Sequence, residues 1–161
     1  MKATFYGGAQ EVGRSCVMIS TERTRVLLDA GIKLGEVEEH PLIHDRDLNR
    51  IDGIFISHAH LDHIGYLPHL YSAGYKGHIY TTKPTMELTN VLISDYMRIS
   101  NPKDVTKEGL NRLAKSYKVV EFKENVKIND LTLAFIPSGH IVGSSMITVS
   151  DGKSSLIYSG D

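Results

Sequence analysis

Between Ile54 and His63 the chain reads Ile-Phe-Ile-Ser-His58-Ala-His60-Leu-Asp62-His63, which places three imidazoles and a carboxylate within six positions behind a short apolar run. Imidazole suits zinc and other late first-row divalent ions, and a carboxylate can complete a site for one or two of them. If a strand covering 51–57 ends at His58, side-chain alternation points His58 and His60 the same way, as half of one metal site. Asp62 and His63 fall where the chain must turn, so they project differently and can serve a neighbouring ion. The plain alternative is a solvated strand-to-loop junction. Three clustered imidazoles that would repel one another once protonated argue against it.

Other positions could join this chemistry. His140 stands between Gly139 and Gly143 after an apolar strand, and Asp161 follows Gly160 at the end of another. Asp29 closes the apolar run Leu27-Leu28 and needs hydrogen-bond donors wherever it is buried. Backbone N–H groups of the histidine loop could supply them, so Asp29 is expected to brace that loop. Gly7-Gly8-Ala-Gln-Glu-Val-Gly13 does not fit the dinucleotide fingerprint and is expected to be a tight connection near a ligand site, or a simple turn. His40, His44, His69 and His78 are expected to lie outside the cluster, His40 and His44 as surface residues.

The elements that must position these residues follow from periodicity. Residues 2–6, 15–20 and 24–29 read as a β-meander, and 78–82 as a further strand. Helical spacing with a glycine stop runs from Ile64 to Gly74. A second helix opens at Pro84-Thr85 with Thr85 as its cap, placing Leu88, Val91, Leu92 and Ile99 on or near one face. Thr106 caps a third helix, with Leu110, Leu113, Ala114 and Tyr117 as its buried stripe. Lys103, Lys107, Arg112, Lys115 and Lys118 around it read as a solvated face. Five β segments follow: 118–122, 126–128, 131–136, 145–149 and 154–158, with turns at Asn129-Asp130 and Asp151-Gly152.

Composition sets the bounds. The 161 residues are 41% hydrophobic with a formal charge of −1, ordinary for one globular domain and not that of a uniformly basic nucleic-acid binder. Cys16 is the single cysteine, so there is no intrachain disulfide and no cysteine-based zinc knuckle. The first residues lack a signal-peptide pattern, and no apolar run is long enough for a membrane span. The expectation is a cytoplasmic protein without membrane contact.

With Leu-Leu-Asp29-Ala-Gly, Ser-His58-Ala-His60-Leu-Asp62-His63-Ile-Gly, Ser-Gly-His140-Ile-Val-Gly-Ser and Gly160-Asp161 in this order, the sequence resembles the metallo-β-lactamase superfamily. Gly-Gly-Ala-Gln-Glu-Val-Gly-Arg-Ser-Cys near the start narrows the resemblance to the β-CASP branch of RNA-processing nucleases. That resemblance implies an α/β fold, an αββα sandwich of which residues 1–161 form the N-terminal part, without the β-CASP insert and the second half. It implies two zinc ions: His58, His60 and His140 on one, Asp62 and His63 on the other, and Asp161 bridging them. Asp29 supports the loop. It further implies cleavage of an RNA phosphodiester by a zinc-activated water that Asp62 orients, with DNA as another admissible substrate. A thioester or lactone hydrolase of the same fold, and a non-catalytic fragment that self-associates or awaits a complementary C-terminal segment, are the rival expectations.

Overall fold

The computed structural model describes residues 1–161, with two sheets and one layer of helices. In chain order the elements are β1 (Lys2–Gly7), β2 (Cys16–Ser20), β3 (Arg25–Leu28), α1 (Asp45–Leu48), β4 (Gly53–Phe55), α2 (Leu61–Ile64), α3 (Leu67–Ser72) and β5 (Ile79–Thr81). They continue with α4 (Lys83–Ser100), α5 (Lys107–Ala114), β6 (Tyr117–Val119), β7 (Val126–Ile128), β8 (Leu131–Pro137), β9 (Ser145–Ser150) and β10 (Ser155–Tyr158). Strands β1 to β6 form one sheet in sequence order, antiparallel through β3 and parallel from β3 to β6. The second sheet is antiparallel, in the order β10-β9-β8-β7, which leaves β10 at an edge.

Alternation along the strands builds two cores. In β2, Val17 and Ile19 point toward the second sheet, where they pack with Leu28, Phe55, Leu133, Phe135, Ile147 and Val149. Cys16 and Met18 point the other way, into a core shared with Leu27, Ile54, Ile56, Ile64, Leu67, Tyr71 and Ile93 under the helices. The central strands β2, β3 and β4 are therefore buried on both faces, which is why they read as continuous apolar runs. Strand β8 instead alternates, with Leu131, Leu133 and Phe135 buried and their neighbours half-buried. The layers are thus helix, sheet, sheet.

Several local expectations need correction. Strand β4 is shorter than 51–57, and Asp62 and His63 lie on a helical turn rather than a loop. The cap of α4 is Thr82, whose side chain accepts from the Thr85 N–H. A cap must precede the helical backbone, and Thr85 already lies inside it. The buried face of α4 carries Thr85, Thr89, Ile93 and Tyr96, whereas Leu88, Val91 and Ile99 are exposed. Leu88 and Val91 line an open apolar groove of about 650 Å³ beside His60, together with Pro84, Leu92 and Val142. Helix α5 has the expected Thr106 cap, but Ala114 is exposed and Tyr117 belongs to β6. No helix is long and apolar enough to cross a membrane.

Candidate metal centre

The parallel pairing of β3 with β4 sets the ends of these strands side by side, and the site is built on those ends. Just past β3 the backbone turns through Asp29, whose φ of 57° lies in the left-handed region that aspartate tolerates better than most residues. The following residues run along α2: Ala30 N–H donates to His63 O at 2.8 Å and Ile32 N–H to Leu61 O at 3.1 Å. Gly31 lies between them, and a Cβ there would stand 1.6 Å from the Asp62 carbonyl oxygen. The Gly7–Ser15 connection closes the other side, with Ser15 N–H donating to Asp62 O at 2.8 Å. The glycine-rich opening of the chain therefore buttresses the histidine loop.

Asp29 is fully buried and accepts four hydrogen bonds. The Ser57 N–H donates at 2.7 Å, the Ser57 hydroxyl at 2.6 Å, His63 Nδ1 at 2.6 Å and the Tyr158 hydroxyl at 2.8 Å. These bonds fix tautomers. His63 carries its proton on Nδ1, so the Nε2 lone pair faces outward. Ser57 Oγ gives its own proton to Asp29 and so can only accept from His58 Nδ1, 3.0 Å away, which leaves the His58 Nε2 lone pair free as well.

Those lone pairs meet the other candidates. His58 Nε2 lies 3.1 Å from His60 Nδ1, and His140 Nε2 lies 3.2 Å from the same atom. Nitrogens bound tetrahedrally to one zinc stand roughly 3.3 Å apart, given bond lengths of ~2.0–2.1 Å. His60 Nδ1 has at most one proton to share with two neighbouring nitrogens, whereas a cation between them satisfies all three. Asp161 completes this cluster, with Oδ2 3.9 Å from His58 Nε2. Its Oδ1 lies 3.3 Å from His63 Nε2, and Asp62 Oδ2 lies 3.8 Å from that nitrogen, forming a second cluster that shares Asp161 with the first. The structure thus brings together His58, His60, Asp62 and His63, expected from their spacing, with His140 and Asp161, expected from the family resemblance, and sets Asp29 behind them.

Titration follows from burial and charge. Burial first, and the neighbouring His63 second, push His58 down to about 4, so it is a neutral donor at physiological pH. Burial would lower His63 too, but the Asp29 charge and hydrogen bond outweigh it, aided by Asp62 and Asp161, and its pKa is raised.

His140 sits on a turn held by Ser144, whose hydroxyl oxygen accepts from the N–H groups of His140 at 3.2 Å and Ile141 at 3.1 Å. Gly139 and Gly143 have φ of 84° and 82°, and a Cβ on Gly143 would crowd Pro84 and Thr85 within 2.8 Å. Ser145 ties this turn to the histidine loop, with its N–H and hydroxyl both donating to Ser57 O at 2.9 and 3.0 Å. Sequence reasoning missed Ser57, Ser144, Ser145 and Tyr158 as supports. Ser57 and Tyr158 had a signal, since each lies at a strand end within three residues of a candidate donor.

A family model described as "Metallo-beta-lactamase superfamily domain" matches residues 18–161. The chain belongs to the metallo-β-lactamase superfamily. A divalent-metal site belongs to this fold, and the two His/Asp clusters are where the chain gathers donors for one. Among similar proteins is a transcription termination factor, FttA, of Methanothermobacter thermautotrophicus, 36% identical over 99% of this chain and 27% of that protein. Another is ribonuclease TTHA0252 of Thermus thermophilus, 33% identical over all of this chain and 38% of that protein. The chain therefore spans between about a quarter and two fifths of the length of these curated relatives. Among solved structures, the metallo-β-lactamase fold protein YhfI of Bacillus subtilis superposes with a TM-score of 0.63 at 18% identity, over 99% of this chain and 61% of that one. The fold is that expected from the motifs, and relatives named as a transcription termination factor and a ribonuclease agree with the β-CASP resemblance.

Proposed function

We propose that this chain carries the N-terminal metal-binding part of a β-CASP-type ribonuclease, with two zinc ions at the paired clusters. His58, His60 and His140 would hold one ion and Asp62 and His63 the other, with Asp161 available as a donor to both. The observation that carries this reading is the convergence of His58 Nε2, His60 Nδ1 and His140 Nε2 at 3.1–3.2 Å, with the His58 tautomer set by Ser57 so that its free lone pair enters the cluster. Bound zinc supplies Lewis acidity toward a phosphate oxygen and lowers the pKa of a water. The chain's own residues do the rest. Asp62, half-buried beside His63 Nε2, accepts a hydrogen bond from the attacking water and aims it at phosphorus. Asp29 is a positioning residue that keeps both buried imidazoles in the ligating tautomer.

RNA is favoured over a thioester or lactone because relatives at 33–36% identity are named for ribonuclease and transcription-termination roles. DNA remains a comparison substrate. The domain reading is that residues 1–161 form one part, and that a β-CASP insert and a second half complete the active protein, in keeping with the 27% share of FttA that the chain spans. A cytoplasmic location belongs to the same reading, supported by the free, buried Cys16.

The test is cleavage of end-labelled single-stranded RNA, with DNA and a chromogenic thioester in parallel, by the complete protein with zinc and after chelation. Zinc-dependent RNA cleavage that chelation removes and His60→Ala abolishes, with circular dichroism unchanged, is expected. His60 is half-buried and makes no side-chain capping bond, so its loss leaves the core closed. Thioester turnover without RNA cleavage, or near wild-type cleavage by His60→Ala, would overturn the reading.

A further inference from the structure

A second group of metal-type donors lies outside both clusters. His69 on α3 is buried, and its Nδ1 bonds Asp104 Oδ2 at 2.7 Å, in the connection between α4 and α5. Its Nε2 faces Glu38 and His40, which come from the charged segment after β3. Glu38 Oε1 lies 2.7 Å from His40 Nε2 and 3.9 Å from His69 Nε2. The Tyr96 hydroxyl on α4 donates to the same Glu38 oxygen at 2.7 Å and lies 3.2 Å from His69 Nε2. The His40 and His69 rings pack at 4.4 Å between centroids. His40, expected on the surface, is instead half-buried against His69.

We propose that Glu38, His40 and His69 form a separate binding site for a zinc-class divalent cation. Two imidazoles and a carboxylate make a donor set that zinc uses with a water in the fourth position. It is not the all-oxygen set of calcium or magnesium. The three ligand atoms lie within 4.8 Å of one another, and changes in separation of up to about 1.5 Å bring them to the roughly 3.3 Å spacing of a tetrahedral zinc site. The Asp104–His69 bond is a second, independent feature of such a site: a carboxylate on Nδ1 fixes the tautomer that leaves Nε2 free to ligate. Tyr96 supports Glu38 as a neutral donor, since burial, then its hydrogen bond to Glu38 and the Glu38 charge, raise its pKa. An ion here clamps the segment around residues 38–40 onto α3 and α4. Helix α3 directly follows the turn that carries Asp62 and His63, so the clamp stiffens the support of the metal centre from outside it.

The inference does not depend on the ribonuclease reading and is tested apart from it. Zinc is counted by mass spectrometry after gel filtration in wild type, in Glu38→Gln/His40→Gln, and in His60→Ala. Both residues of the double variant are partly exposed, so it is expected to fold. Wild type should retain one equivalent more than Glu38→Gln/His40→Gln. Zinc should also raise the melting temperature of His60→Ala, an increase that becomes smaller when the two substitutions are added. Equal zinc content in wild type and Glu38→Gln/His40→Gln would overturn the site. A zinc titration of wild type, read from imidazole ¹⁵N resonances, needs no variant. Shifts at His40 and His69 Nε2 are expected, and unmoved resonances refute the proposal.

Discussion

Asp29→Asn isolates the support of the metal centre from the centre itself. Asparagine keeps the size, tolerates the left-handed backbone at φ 57°, and retains one oxygen for the Ser57 N–H bond at 2.7 Å. It replaces the oxygen that accepts from Ser57 Oγ, His63 Nδ1 and Tyr158 with an NH₂ group. The two hydroxyls can rotate, but His63 must give up its Nδ1 proton to accept from the new amide, and the proton then occupies Nε2, the nitrogen facing Asp161 and Asp62. Losing such a support of a ligating histidine weakens metal affinity by about 10–100-fold, or ~1.4–2.7 kcal/mol. Exchanging buried charge-assisted bonds for neutral ones lowers folding stability by ~3 kcal/mol, from ~1.5–3 kcal/mol for each bond to a charged group. Zinc affinity measured against a chromogenic chelator, paired with urea unfolding in EDTA, reads both effects. Wild-type zinc affinity in a destabilised variant would refute the tautomer reasoning. Unchanged stability would refute the hydrogen-bond network.

Other substitutions and conditions probe neighbouring parts. Gly31→Ala forces a Cβ against the Asp62 carbonyl, so urea unfolding should show a loss of ~3 kcal/mol or more together with metal loss, and a variant as stable as wild type would contradict the packing. In metal-free protein the raised His63 pKa means that its pairing with Asp29 stabilises fully below the ordinary value of 6.5 and fades as pH rises through the folded value. Urea unfolding at pH 6 and pH 8 in EDTA should show a larger loss for wild type than for His63→Gln, and equal losses would contradict the sign. Burial, with Asp29 second, raises the Cys16 pKa, so a thiol reagent at pH 8 should find no reactive thiol in the native protein and one in denaturant. Strand β10 offers an unpaired edge in the second sheet, so light scattering of this chain alone should show self-association, and a clean monomer would contradict that expectation.

The motif at 58–63 was legible because metal donors at short spacing have few other uses, and the flanking Asp29, His140 and Asp161 each close an apolar strand. Strands β2 and β3 were legible as β segments, whereas the burial of both their faces emerged only with the second sheet packed against them. Helix α4 was misread because its apolar residues at 88, 91 and 99 line a groove or face solvent, while threonines and a tyrosine, which carry weak hydrophobic signal, turn inward. His40 and His69 stand 29 positions apart in the sequence and meet only because the segment after β3 folds back over α3. No local pattern encodes that contact. Ser57 and Tyr158 act through Asp29 across 28 and 129 residues, a range at which periodicity says nothing.

Anomalous diffraction at the zinc edge, from crystals of this chain grown with zinc, tests the central claim most directly. The account predicts a peak within bonding distance of His58 Nε2, His60 Nδ1, His140 Nε2 and Asp161, and a second beside Asp62, His63 and Asp161. Anomalous density confined to positions away from both clusters would contradict it.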